Sequence, residues 1–469
     1  MCGIIGIHNH PESANLAYLC LYALQHRGQE SAGIVSSDEG RFYQRKEMGL
    51  VADVFDERNL NELKGKSAIG HVRYSTSGES SITNVQPLFA ELFGDNFSLA
   101  HNGNITNALK LREELKADGA VFQTTSDSEV IIHLLVRSPE GKFEDRLKWV
   151  LEKIEGAYSI VILKGTQMIA VRDPMGIRPL VLGQVKDSYV VASEGSCFNL
   201  IDGLFLREIA PGEMLIFEGM NYRSIEFKKP SRIRPCIFEY VYFARPDSTI
   251  FGRSVYEVRK LCGRALSQEK PVDADVIVPV PDSGLPAALG YAEASGIPFE
   301  MGLIRSHYVG RTFIEPESSI RHFGVKLKLS PLKEVITGKR VIVIDDSIVR
   351  GTTSMKIVKM IRNAGASEVH LRISSPPTRW PCLYGIDTPN RDELIASSKS
   401  VEEIRDYVTA DSLEYLSIEG LKSFDSTGNY CDACFSGDYP IQPTDRKDLR
   451  EKAKAHVACG QKAKSACGM

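Results

Sequence analysis

VIVIDDSIVRGTTS, residues 341–354, is the stretch on which the fold turns. Four apolar residues followed by charge read as a strand buried on both faces. Asp345 and Asp346 stand side by side at its carboxyl end, and Gly351, Thr352 and Thr353 make the turn into TSMKIVKMIRNAGA, a helical pattern. Paired carboxylates in that place accept hydrogen bonds from ribose hydroxyls or help hold Mg²⁺, which prefers oxygen ligands. The turn offers backbone N–H groups and hydroxyls at a helix N-terminus, a cradle for phosphate. A plainer reading makes Asp346 a turn cap and Thr352 or Thr353 a helix cap. With all the parts in register, the ligand site is the stronger reading.

Outward from this stretch, strands and helices alternate: DVIVPV then LPAALGYAEASG, KRVIVIDD then its helix, then EVHLRIS. Such alternation predicts a parallel, doubly wound sheet, with ligands outside the carboxyl ends of its strands. The pattern begins near Pro230. Before it, many short strands (GIIGIHN, SAGIVSSD, SAIGHVRYST, YSIVILKGTQMIAVRD, SYVVASE) are interrupted by helical spacing in ANLAYLCLYALQH and DSEVIIHLLVRS. Runs of strands with helices between them predict two sheets packed against helical layers, an α+β half before an α/β half. The expected divisions are 2–230, 231–440 and a Lys- and Ala-rich tail, 441–469.

The 469 residues are too many for one ordinary core. Apolar residues at 43% and charged residues at 25% describe a globular chain, and a net charge of −3 gives no global pull toward nucleic acid or anionic membrane. Any anion site is therefore local. No apolar run spans a bilayer, and MCGIIGIHNH lacks the features of a secretory signal, so the expected compartment is the cytoplasm. In that reducing setting the ten cysteines are core filler, nucleophile or metal ligand rather than disulfides.

Cys2 follows Met1 directly and precedes Gly3, so methionine removal is sterically easy and leaves a free α-amine. Such an amine titrates near neutrality and takes the thiol proton itself, which makes one residue both nucleophile and base. On position alone, Cys2 is more readily a small buried residue at the start of a strand. Its company reverses that judgement. Arg73 in HVRYST suits bidentate binding of an α-carboxylate. Asn102 and Gly103 in AHNGNIT supply an amide and a flexible backbone N–H, the makings of an oxyanion hole. Asp127 in TTSDSEV precedes a helix, where it is either an N-cap or an acceptor for a ligand's ammonium and amide hydrogens.

These motifs (MCGIIGI, LQHRGQESAGI, GHVRYSTSG, HNGNI and TSDSE, in that order) resemble the class II glutamine amidotransferases over about the first 230 residues. The resemblance implies an N-terminal-nucleophile αββα sandwich in which Cys2 attacks the glutamine carboxamide. Asn102 and Gly103 would stabilise the oxyanion, and Arg73 and Asp127 would grip the amino-acid end. VIVIDDSIVRGTTS in turn resembles the signature of type I phosphoribosyltransferases, which bind 5-phosphoribosyl 1-diphosphate (PRPP). It implicates Asp282, Ser283 and Gly284 of VIVPVPDSG in contact with the pyrophosphate and its Mg²⁺. It also implies a mobile lid over RSHYVGRTFIEP (305–316), with Arg311 and Arg350 neutralising phosphate charge.

Cys431 and Cys434 form a C-x-x-C pair, and Cys236 and Cys382 each follow a proline. From the residues alone, four such cysteines suit tetrahedral zinc as readily as an iron–sulfur cluster. Their contexts are similar to those of the amidophosphoribosyltransferases that carry a [4Fe–4S] cluster, which implies Cys236, Cys382, Cys431 and Cys434 as its ligands. That resemblance covers nearly the whole chain. It implies conversion of PRPP, glutamine and water to 5-phosphoribosylamine, glutamate and pyrophosphate, the entry step of purine synthesis, with ammonia passed internally between the sites. It also implies a homotetramer inhibited by purine nucleotides. An amidotransferase making glucosamine phosphate would have no reason to carry the 341–354 stretch. A non-catalytic PRPP sensor would not need Cys2, Arg73, Asn102 and Asp127 together.

Overall fold

The apolar run at 341–344 forms the strand Arg340–Asp345 of a four-stranded sheet, and its alternate residues are buried on opposite faces. Ile342 and Ile344 pack with the helices Val255–Glu269 and Leu285–Ser295, through Leu266, Ala288 and Tyr291. Val341 and Val343 pack with the helix Thr352–Asn363, through Ile357, Val358 and Ile361. In the computed structural model, which describes residues 1–74, 79–92, 95–139, 141–306, 329–388 and 390–442, this sheet is parallel throughout.

Its order is Val276–Pro279, Arg340–Asp345, Glu368–Ile373, Ser412–Tyr415. A fifth chain segment joins the outer edge, where Phe299 bridges Ile277 in parallel. The first two strands of this half are thus neighbours, and the third lies on the other side of the first. Val276–Pro279 and Arg340–Asp345 therefore flank the point where the winding reverses, the place where ligands bind in doubly wound sheets.

The preceding half is a four-layer sandwich. One antiparallel sheet has seven strands, with Gly3–His8 between Ser188–Ala192 and Ser67–Arg73 near its centre. The other has six, with Asp95–Ile105 paired to Gly156–Lys164. Ile4, Ile69, Val161, Leu163 and Val191 fill the space between the sheets. The helix Ser13–Ala23 covers the outside of the first sheet through Ala17, Cys20 and Leu21. Helices Ala108–Ala117, Glu129–Arg137 and Phe143–Lys153 cover the second through Leu111, Leu134 and Leu147. The α+β half followed by an α/β half is as expected from the strand and helix patterns. The tail beyond 442 lies outside the described residues.

Candidate functional site

Two sites emerge, one in each half. The strand Gly3–His8 begins immediately after Cys2, which is 8% exposed. Its neighbour Ser67–Arg73 pairs Gly3 with Val72, so Arg73 ends its strand beside Cys2. From the facing sheet, the strand Asp95–Ile105 delivers Asn102 and Gly103. Asn102 Oδ1 accepts from the Cys2 nitrogen at 3.2 Å, and the Cys2 thiol lies 3.6 Å from the Tyr74 carbonyl. Asn102 Nδ2 is fully buried and has no hydrogen-bond partner among the described residues. An unpaired buried donor is costly unless something arrives to accept from it.

Gly103 has φ +154°, and a Cβ there would sit 1.9 Å from the Ala157 carbonyl oxygen, so no other residue fits. Arg73, 3% exposed, donates from Nη1 to the Glu79 carbonyl at 3.1 Å and stands 3.7 Å from Glu30. Asp127 is not the helix cap that its position suggests. Its Oδ2 accepts from the Ile105 amide at 2.9 Å, and its Oδ1 from the hydroxyls of Ser126 and Ser128 at 3.4 Å. The carboxylate thus faces the Asn102 strand. Met1 is buried, its sulfur against Arg178 and Arg27. Burial holds its amine down at about 6.

The second site is a cleft of about 520 Å³, lined by residues that include Tyr242, Arg259, Asp282, Ser283, Arg305 and Thr353. Asp345 and Asp346 end the central strand beneath it, both nearly buried. Burial, and then the neighbouring Asp346 charge, pushes the Asp345 carboxyl well above the usual range. Burial also raises Asp346, against hydrogen bonds from Ser283 and Ser347 and the charge of Arg259. Two adjacent carboxylates with raised proton affinity suit a cation or a pair of hydroxyl donors. Gly284 opens the helix Leu285–Ser295, and a Cβ on it would lie 2.4 Å from the Ile344 carbonyl oxygen. Gly351, at φ +76°, precedes Thr352 at the start of the next helix. Arg350 is turned to Glu393, at 2.9 Å, and Arg305 pairs with Asp282. Arg311 and residues 307–328 lie outside the described residues.

The four cysteines share one core. Cys236 and Cys431 form a parallel bridge in which Cys431 donates its N–H to the Pro235 carbonyl and accepts from the Ile237 N–H, and Cys434 and Cys382 pack into the same cluster. All four are free of disulfides. Burial raises the thiols of Cys236, Cys431 and Cys434, and neighbouring thiols raise them further. Arg178, fully buried, lies within the electrostatic reach of Cys236, Cys382 and Cys431. A mononuclear zinc site, with Zn–S near 2.3 Å, would draw its sulfurs to within about 3.8 Å of one another. Among the described residues no three His, Cys, Asp or Glu side chains are grouped to hold a metal ion. Cys20, Cys197 and Cys262 are buried core residues, while Cys459 and Cys467 fall outside the described chain.

Sequence reasoning missed the buried Arg27, Arg178, Glu194 and Glu239, and also Arg259 and Arg305. Arg27 lies in LQHRGQESAGI, Glu194 ends SYVVASE and Arg305 opens RSHYVGRTFIEP, but the burial or pairing of a charged side chain leaves no signal in the local pattern.

Residues 71–199 match the glutamine amidotransferase domain family, and residues 252–374 the phosphoribosyl transferase domain family. The class is thus a glutamine amidotransferase joined to a phosphoribosyltransferase. The chain belongs to the amidophosphoribosyltransferase family. It is 52% identical to the chloroplastic amidophosphoribosyltransferase of Vigna aconitifolia, over 94% of this chain and 92% of that protein. It is 50% identical to the amidophosphoribosyltransferase of Bacillus subtilis, over 94% of each. Among solved structures it is similar to the glutamine PRPP amidotransferase of B. subtilis complexed with ADP and GMP. That likeness has a TM-score of 0.90 and 49% identity, covering 95% of this chain and 98% of that one. The chain is a glutamine-dependent amidophosphoribosyltransferase, a glycosyltransferase of the pentosyl class acting in purine biosynthesis. Among the described residues no helix is long and apolar enough to cross a membrane, and several relatives are chloroplastic.

Proposed function

We propose that, once Met1 is removed, Cys2 is the nucleophile that releases ammonia from glutamine, and that the ammonia passes within the protein to C1 of PRPP. The observation that carries this reading is Asn102, whose side chain holds the Cys2 nitrogen through Oδ1 while its buried Nδ2 has no partner among the described residues. The Cys2 thiol passes its proton to its own α-amine and attacks the glutamine carboxamide carbon. Oxyanion charge develops against Asn102 Nδ2 and the Gly103 N–H. Collapse of the tetrahedral adduct expels ammonia, and water then releases glutamate from the thioester. Arg73 and Asp127 hold the carboxylate and ammonium of glutamine.

At the second site Asp345 and Asp346 accept from the ribose hydroxyls, and Gly351, Thr352 and Thr353 cradle the 5-phosphate at their helix N-terminus. Asp282 and Gly284 lie against the pyrophosphate, with Arg350 and Arg311 balancing phosphate charge. Ser283, Asp345 and Asp346 would hold Mg²⁺, for which one or two carboxylates with substrate oxygens suffice. When bound, that ion neutralises charge on the departing pyrophosphate. Cys236, Cys382, Cys431 and Cys434 would hold the [4Fe–4S] cluster. Their thiols are unbridged, three of them buried and Cys382 half-buried, and with Arg178 in reach of Cys236, Cys382 and Cys431 they fit a thiolate-ligated anionic group, which would tie together the start, middle and end of the second half.

The working form on this reading is a cytoplasmic homotetramer inhibited by purine nucleotides, and the relative solved with ADP and GMP supports the nucleotide part alone. The test is glutamate release from glutamine with and without PRPP. Stimulation by PRPP is expected; release that ignores PRPP would overturn the coupling.

A further inference from the structure

The surroundings of Cys2 are completed by residues from the other half of the chain, at two separate points. The first is an ion network. Arg27 Nε donates to the Cys2 carbonyl at 3.2 Å, and Arg27 Nη2 donates to both carboxylate oxygens of Glu239 at 2.8 and 3.0 Å. Glu239 also accepts from Arg178 Nη1 at 3.1 Å, and Arg178 Nε donates to the Tyr384 carbonyl at 2.8 Å. Glu194 contacts the remaining Arg27 nitrogen. All four charged side chains are fully buried. A buried pair of this kind is weak evidence for stability, because desolvation offsets the attraction. Its placement on the nucleophile's own carbonyl points to a different role.

The second point is the oxyanion strand. Asn104 Nδ2 donates to the Leu383 carbonyl at 2.8 Å. Gly385, at φ +103°, packs directly on Gly103, and a Cβ on it would lie 2.8 Å from the Gly103 carbonyl carbon and oxygen. Both points lie on segments that begin at cysteines of the shared core: Cys236 comes shortly before Glu239, which opens a short π-helical turn, and Cys382 directly precedes Leu383. The same turn carries Tyr242, which lines the 520 Å³ cleft.

We infer that Glu239 and the loop Leu383–Gly385 are positioning elements for the glutamine half of the reaction. Glu239 sets the Cys2 backbone through Arg27, and the loop sets the Asn102–Gly103 oxyanion donors. Neither touches substrate. The second half of the chain therefore builds part of the first half's active centre, and a glutaminase unit without it would hold its nucleophile in the wrong place. This inference rests on the reading of Cys2 as the nucleophile.

Glu239→Gln keeps the shape and removes the charge, while Gly385→Ala pushes on Gly103. The measurement is 5-phosphoribosylamine formation by the full-length protein from glutamine and, separately, from ammonium, with KM and kcat resolved for glutamine. In each variant kcat with glutamine falls by about 100-fold, the size expected of a displacement near 1 Å. The glutamine KM, set by Arg73 and Asp127, stays the same, and so does the ammonium-dependent rate. Alkylation of Cys2 by iodoacetamide, followed on the N-terminal peptide by mass spectrometry, slows in Glu239→Gln. A parallel fall in both nitrogen sources, or no fall in either, overturns the inference. If Glu239→Gln does not fold, the Gly385→Ala comparison decides alone. Cys2→Ala separates the two levels. If it still consumes glutamine, the nucleophile reading fails. If it does not, while Glu239→Gln and Gly385→Ala remain fully active, only the positioning inference fails.

Discussion

The two centres differ in how finished they are before any substrate arrives. Around Cys2 the groups are buried, with Asn102 at 0%, Arg73 at 3% and Asp127 at 8% exposure. Around the cleft, the side chains of Asp282 and Arg305 are 63% and 52% exposed and satisfy each other. The chemistry explains the difference. A tetrahedral oxyanion carries a small charge at one atom, and stabilising it needs donors already in place and already dry. PRPP is large and highly charged, and on the proposed reading it would bind with Mg²⁺, so its surroundings need not be complete beforehand. The first centre is therefore braced from two sides by the rest of the protein, and among the described residues the second is left open.

Four experiments break or sharpen this contrast. The largest effect is expected at the cleft, where removing both carboxylate charges (Asp345→Asn with Asp346→Asn) lowers synthesis from glutamine and from ammonium alike. The loss should reach about three orders of magnitude, the several kcal/mol of metal-assisted charge stabilisation. A loss confined to glutamine would put these residues in the wrong centre. Asn102→Ala should cost about 100- to 1,000-fold in kcat with glutamine, and nothing with ammonium, as removal of one oxyanion donor does.

Below the cleft, Ile344 is fully buried between the sheet and its helices, so Ile344→Ala should lower unfolding stability in urea by about 2–5 kcal/mol. The smallest effect is a pH-dependent one. Burial alone would raise Glu129, but hydrogen bonds from His133 and from the Gln123 and Thr124 amides hold it down at about 2. A depressed carboxylate stabilises the fold above its unfolded value of 4.5, and that contribution is lost as pH falls from there toward 2. The stability difference between the native chain and Glu129→Gln, about 1 kcal/mol at neutral pH, should close over that window.

What could be read from the residues follows the same divide between local pattern and long-range assembly. VIVIDD was legible because a short apolar run followed by turn chemistry specifies a strand end without help from elsewhere. The segment at Phe299 was not, since it joins the sheet through a single bridge after Pro298 and has no periodicity of its own. EYVYF has the β-branched and aromatic character of a strand, yet it forms a π-helical turn because Glu239 is drawn inward between Arg27 and Arg178. Charged residues normally mark solvent, so a buried Arg–Glu–Arg contact among residues 27, 178 and 239 leaves no local trace. Asp127 sits where a cap belongs but bonds a strand amide more than twenty positions away, which only the packing of helix on sheet could decide. Cys2, by contrast, was legible through its company in the chain.

On the proposed reading, one residue releases the nitrogen and a separate centre uses it. The most direct test is Cys2→Ala in the full-length protein, with 5-phosphoribosylamine formation measured from glutamine and from ammonium under the same conditions. Synthesis from glutamine should disappear while synthesis from ammonium stays at the native rate. Persistence of the glutamine-dependent rate, or loss of both together, would contradict it.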